Sequence, residues 1–226
     1  HYQERHGGIF LGMVRSGGDT FNFWTGPERV NPLYGTRYTL DALRRDEPER
    51  ALLSLYGTLA QGLTRNTFVG GEGCTLRPVD AEGRFFYCPP NSAASAHVLS
   101  MVRQLLVQEW DLDDDGRPET LRLMFGTSRR WLEDGKKIRV ERTPTAWGDV
   151  GATLESRLSA GEVIATVDLP SRQTPTRTLL RARVPEGWAV TGANATGRKL
   201  AADPRGTVDL TGLSGRQIIR FSVSRR

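Results

Sequence analysis

Only two of the 226 residues are cysteine, Cys74 and Cys88, which excludes a small scaffold held together by several disulfides. The two stand 14 positions apart in one stretch. A bridge between them would stabilise the fold by about 3 kcal/mol in an oxidising compartment, and two free thiols acting as small hydrophobes fit the sequence equally. Apolar runs are short, none approaching the roughly 18 residues of a membrane-spanning helix, and the start HYQERHGG carries neither methionine nor a signal-peptide core. The expectation is a soluble chain that does not engage a membrane, a processed or truncated piece of a longer protein. A concentrated basic face is missing too. The net charge of +5 and pI near 9.6 come mostly from arginines that are scattered or set beside acids, as in ALRRDEPER. The exceptions are Arg129 and Arg130 with Lys136 and Lys137, and the pair Arg225 and Arg226. Such a spread reads as a solvated surface and argues against a nucleic-acid partner.

What the chain does contain is two grammars in succession. With 38% hydrophobic and 25% charged residues it is an ordinary globular sequence, long enough for one large domain or two smaller ones. Residues 8–15, GIFLGMVR, read as a short strand, and the loop after it sets Phe21, Phe23, Trp24 and Tyr34 among Gly, Pro and Asn. Aromatics placed in this way pin a domain junction or stack on sugar rings. From Thr36 the spacing is helical: Tyr38, Leu40 and Leu43 form one helix, and Pro48 opens a second with Leu52, Leu55, Tyr56, Leu59 and Leu63 on one stripe. The short link between them predicts an antiparallel hairpin. A third helix, AASAHVLSMVRQLLVQEW, follows Pro89 and Pro90 with Asn91 or Ser92 as its cap, and its apolar residues predict burial on more than one side, His97 included as a core histidine. A fourth is predicted over ETLRLMFGTSRRWLEDG, with Leu121, Met124, Phe125, Trp131 and Leu132 as its stripe. At Lys136 the period changes to two, and seven short alternating runs over about 90 residues predict an antiparallel β-sandwich. The expected class is therefore α+β: a helical-hairpin region over residues 1–135, then a sandwich over 136–226.

Two stretches carry candidate chemistry. Between the second and third helices, residues 66–91 form a long non-periodic segment, too apolar and aromatic to read as disordered. In it Glu72 is flanked by glycines that leave room around the carboxylate. A partly apolar cleft built with Phe68, Phe85 and Phe86 would raise its pKa for general-acid work, whereas a solvated glycine-rich turn would leave it idle. Asp19, Glu28 and Asp80 lie in loops that could supply a partner acid. The second stretch runs from Asp111 to Glu119, where Asp111, Asp113, Asp115 and Glu119 place oxygens around a glycine turn as in a loop that binds calcium. Arg122 stands where the bidentate glutamate of a full EF-hand loop belongs. A structural calcium ion and an acidic helix-capping turn both fit.

The order of helical pairs, a Gly-Gly-Glu-Gly loop and a terminal sandwich, with ARVPEGWAVTGANATGRKL as a strand, Pro-x-Gly turn and strand, resembles the C-terminal part of bacterial six-hairpin glycosidases. That resemblance implies a partial (α/α)6 barrel, hydrolysis of a glycosidic bond by paired carboxylates, and a poly- or oligosaccharide partner. Glu72 and Asp19 would be the catalytic acids, and Trp24, Arg65, Asn66, Tyr87 and Asn91 the sugar contacts. Four helices fall short of the twelve of such a barrel, so the resemblance also implies that the missing N-terminal part or another polypeptide completes it. Export to the periplasm or the cell exterior would follow, with a cytoplasmic location left open. Glu72-x-Cys74 with Cys88-Pro-Pro-Asn also resembles the zinc motif of cysteine-dependent β-L-arabinofuranosidases, although two cysteines fall short of the usual four ligands. Two alternatives of other kinds remain: a non-catalytic carbohydrate-binding or assembly module, and a polysaccharide lyase using Tyr34, Tyr87 or His6 as its base.

Overall fold

The computed structural model describes residues 29–30, 35–75, 81, 83–111 and 115–226. By its internal packing the chain divides into two compact units, His1–Leu105 and Leu106–Arg226.

In the first unit, helix α1 (Gly35–Arg44) is followed by α2 (Pro48–Gly57), which runs on into a π-helical turn, Thr58–Gly62. Pro48 occupies the first turn of α2, where a missing N–H costs nothing because it would have no intrahelical partner. Ala42 and Leu43 of α1 and Ala51 and Leu55 of α2 are buried. The Thr39 hydroxyl donates to Ser54 Oγ at 2.6 Å and lies 3.3 Å from the Met101 sulfur. Met101 belongs to α3 (Ser92–Leu106), which buries only the narrow stripe of Ala94, Met101 and Leu105. Leu99 is 71% exposed, so α3 is not enclosed on several sides as its composition suggested. Three short strands, β1 (Arg29–Val30), β2 (Gly73–Thr75) and β3 (Phe86–Tyr87), pair antiparallel in that order.

The second unit is built from strands. They are β4 (Val107–Trp110), β5 (Thr120–Leu123), β6 (Lys137–Thr145), β7 (Gly148–Arg157), β8 (Glu162–Leu169), β9 (Arg177–Arg181), β10 (Trp188–Ala195), β11 (Arg198–Leu200), β12 (Thr207–Asp209) and β13 (Gly215–Arg225). One sheet runs β11-β10-β13-β8-β7-β6 and the other β12-β9-β5-β4, antiparallel throughout except for the parallel pair β5 and β9. Alternation decides the faces. Val163, Ala165, Val167 and Leu169 of β8 and Ile219, Phe221 and Val223 of β13 are buried, with less buried residues between them. They meet Leu121, Leu123, Leu180 and Val208 of the smaller sheet in one core. The edge strand β6 is blunted by exposed Lys137, Arg139 and Glu141, by Pro144, and by an irregular register between Val140 and Thr143, the features that discourage pairing with another chain.

This architecture overturns the six-hairpin resemblance and the expected fold class. Among the described residues there are three α-helices, far from a helical toroid, and strands dominate the chain. The predicted fourth helix is absent: Thr120–Leu123 is β5, and only the 3-10 turn Arg129–Leu132 follows it. The sequence Thr-Leu-Arg-Leu alternates with period two, although Leu121 also stands at helical spacing from Met124 and Phe125. Strand period prevails because Leu121 and Leu123 share one face and are both fully buried between paired neighbours. The third helix stops at Leu106 for the same reason. Val107–Trp110 pairs with β5, and Met124 N–H closes the ladder on Leu106 O at 2.7 Å. The glycosidase expectation therefore has no support from a barrel.

Candidate functional site

The β2–β3 hairpin brings Glu72, Tyr87 and Cys88 together. Gly73 pairs with Tyr87 and Cys74 with Phe86, and the Glu72 N–H donates to Tyr87 O at 2.9 Å. The Tyr87 phenol is held above its ordinary pKa, first by a hydrogen bond with Cys88, then by burial and by the negative charges of Cys88 and Glu72. The glycines before Glu72 have a packing role: a Cβ on Gly71 would stand 2.8 Å from Tyr87 O, and one on Gly70 3.1 Å from Ala94 Cβ. Both thiols are free. Cys74 is buried and donates to Gln61 O at 3.0 Å, while Cys88 is exposed at φ 48°.

The other predicted residues are placed separately. Arg65 and Asn66 are exposed in the turn after the π-helical segment, Asn66 at φ 68°. Asn91 caps α3, its Oδ1 accepting from Ala94 N–H at 2.8 Å, and its own N–H reaches Gly70 O at 2.7 Å. His97 is half-buried on α3. Asp19, Trp24 and Asp113, with Glu28, Tyr34, Asp80 and His6, lie outside the described residues. In the turn between β4 and β5, Asp111 accepts from the N–H groups of Asp115 and Gly116 at 3.1 and 2.7 Å, and Asp115 from Arg117 N–H at 2.7 Å. Glu119 instead uses its backbone, with its N–H to Trp110 O and its C=O from Arg177 N–H. Among the described residues no group of three or more His, Cys, Asp or Glu side chains is arranged to hold a metal ion.

A different place in the second unit has the shape of a ligand site. A cavity of about 430 Å³ is lined by Glu133, Asp134, Leu158, Ser159, Pro185, Trp188 and Arg225. It opens at one end of the sandwich, where β10 begins and β13 finishes. Trp188 and Arg225 are direct cross-strand partners, and the guanidinium carbon lies 5.4 Å from the indole centroid, a cation–π arrangement. Trp188 is half-buried against the core, its backbone N–H donating to Pro185 O at 3.1 Å, and Gly187 O accepts from Arg226 N–H at 2.9 Å. The opposite wall is the turn after Leu132. Gly135 N–H reaches Ser156 O at 3.0 Å, Ser156 N–H reaches Lys136 O at 2.9 Å, and Ser156 Oγ donates to Leu132 O at 2.7 Å. Arg129, in the 3-10 turn that precedes this wall, extends to Val184 O at 2.9 Å. The walls are therefore tied to the sandwich and to each other.

Both carboxylates of this cavity are held below their ordinary pKa values. For Glu133 the main cause is the hydrogen bond from Lys136, whose Nζ is 2.6 Å from Oε2, with its charge and that of Arg130 adding. For Asp134 it is the backbone N–H of Ser159, 3.1 Å from Oδ1. The sequence contained a signal for this site. In Pro185-Glu186-Gly187-Trp188 an indole enters a strand from a tight turn, and alternation with Val190 and buried Val223 sets it on the inward face at the open end of the sandwich. The acids were hidden because Trp131 to Gly135 read as a helix terminus. In comparison with known proteins, no family model and no curated protein matches the chain.

Proposed function

We propose that the chain is a non-catalytic carbohydrate-binding module whose ligand occupies the cavity beside Trp188. The observation that carries this reading is the convergence of an indole ring, two carboxylates and a guanidinium on one cavity of about 430 Å³. Small-ligand sites commonly enclose roughly 300–1,000 Å³ and combine apolar walls with a few fixed polar groups. A sugar ring offers an apolar C–H face to an indole and a rim of hydroxyls that donate to carboxylates and accept from guanidinium.

Binding is favoured over hydrolysis by the acid–base state of the site. A general acid at neutral pH needs a raised carboxyl pKa. Glu133 and Asp134 are both pushed down, so each stays an acceptor for hydroxyl groups. Affinity electrophoresis through gels loaded with soluble polysaccharides, run beside an assay for released reducing ends, tests the reading. Retardation by at least one glycan, its loss in Trp188→Ala and an absence of new reducing ends are expected. Mobility unchanged by every glycan would contradict it, as would reducing-end release abolished by Glu133→Gln.

A further inference from the structure

We infer that the Trp188 cavity selects uncharged sugar units and discriminates against both uronic acids and amino sugars; this rests on the carbohydrate-binding reading above. The charges around the cavity are balanced and already engaged by protein groups. Two anions, Glu133 and Asp134, and one cation, Arg225, belong to its lining, and Lys136 is paired with Glu133 at 2.6 Å. Arg225 is stacked over Trp188. Asp134 takes its hydrogen bond from the Ser159 N–H across the cavity wall.

A ligand carboxylate entering this space would lose water while facing the carboxylates of Glu133 and Asp134, whose protein donors, Lys136 and the Ser159 N–H, favour their charged forms. A ligand ammonium would have to compete with Lys136 for Glu133 while lying close to the Arg225 guanidinium, so it gains little beyond what the protein already supplies. Hydroxyl groups meet neither obstacle. Each carboxylate has lone pairs left after its protein donor, and the guanidinium has five N–H donors, of which the stack over Trp188 consumes none outright. Because the charges are internally matched, binding a neutral sugar releases few counterions, and its affinity should vary little with salt.

Isothermal titration of the full chain with three oligosaccharide series of matched length, neutral gluco-oligosaccharides, oligogalacturonates and chitosan oligosaccharides, reads this out at 0.05 and 0.5 M NaCl. The neutral series should bind at least tenfold more tightly than either charged one, with a Kd changing less than about twofold between the two salts. Glu133→Gln, which removes one anion and frees Lys136, should raise affinity for the oligogalacturonates several-fold while circular dichroism stays that of the parent. Tighter binding of a charged series, or a tenfold loss of neutral-series affinity in high salt, would overturn the inference and leave the binding reading standing. If none of the three series binds, this inference falls, and the carbohydrate reading falls with it only when no polysaccharide gel retards the chain either.

Discussion

Ile218 and Ile219 are adjacent in β13, chemically identical, and assigned to opposite faces of the larger sheet: Ile218 is 49% exposed and Ile219 is fully buried. β13 pairs with β8 from Gly215 to Ser222 and with β10 from Trp188 to Ala195, so its register sets the inward face of three central strands. Truncating a buried isoleucine to alanine costs about 2–5 kcal/mol, through lost transfer energy and the cavity left behind. The upper half of that range applies to Ile219, because paired strands on both sides keep the backbone from collapsing into the gap. Ile218→Ala removes a side chain that water already reaches and should cost no more than about 1 kcal/mol, mostly in strand propensity. Urea unfolding followed by tryptophan fluorescence suits the measurement, since Trp110, Trp131, Trp147 and Trp188 all lie in the second unit. Ile219→Ala should lower the midpoint at least three times as much as Ile218→Ala at similar slope. Equal losses, or a larger loss for Ile218→Ala, would mean that the strand is shifted by one residue, and the cavity built on its far end would not exist as described.

Other expectations follow from single contacts. Asn91→Ala should destabilise the first unit by about 1 kcal/mol through loss of the α3 cap, seen as a lower denaturation midpoint with near-native helicity at 20 °C. Gly206→Ala should cost more than 1 kcal/mol, because Gly206 has φ 81° and a Cβ there would stand 2.5 Å from Ala182 O; a thermal shift assay reads it, and an unchanged Tm would contradict that turn. Asp134 has a depressed folded-state pKa, so its stabilising contribution is present above the unfolded value of about 3.9 and is lost as pH falls through the folded one. The parent chain should therefore lose more stability than Asp134→Asn between about pH 5 and pH 2, and parallel acid limbs would show that Asp134 carries no such linkage.

The sequence revealed the strands from Lys136 onward, and the three helices of the first unit, more faithfully than the stretch between them. From Lys136 onward the two-residue period was carried by β-branched and small apolar residues bounded by turn formers, as in Gly161 to Leu169, and there pattern and burial agree. Upstream, Val107–Trp110 and Thr120–Leu123 are too short for periodicity to separate strand from helix, and the pairing of Thr120–Leu123 with β9, more than 50 residues later, is invisible locally. The candidate site was missed for a related reason. Glu133, Ser159, Trp188 and Arg225 come from four separate connections and strand ends, and only the closed sandwich brings them to one cavity. Glu72 drew attention because glycines surround it, yet Gly71 is small to clear a neighbouring carbonyl, a requirement set by the hairpin. Asn91 was legible as a helix cap because capping depends on a few neighbouring residues alone.

The claim on which the functional account turns is that a sugar ring stacks on Trp188. It is tested most directly by titrating an oligosaccharide that retards the parent chain into parent, Trp188→Ala and Trp147→Ala proteins while following tryptophan fluorescence. The account predicts a saturable change for the parent and for Trp147→Ala with similar Kd, and a Kd at least tenfold higher for Trp188→Ala in a protein that circular dichroism shows to be folded. Undiminished affinity in Trp188→Ala would contradict it.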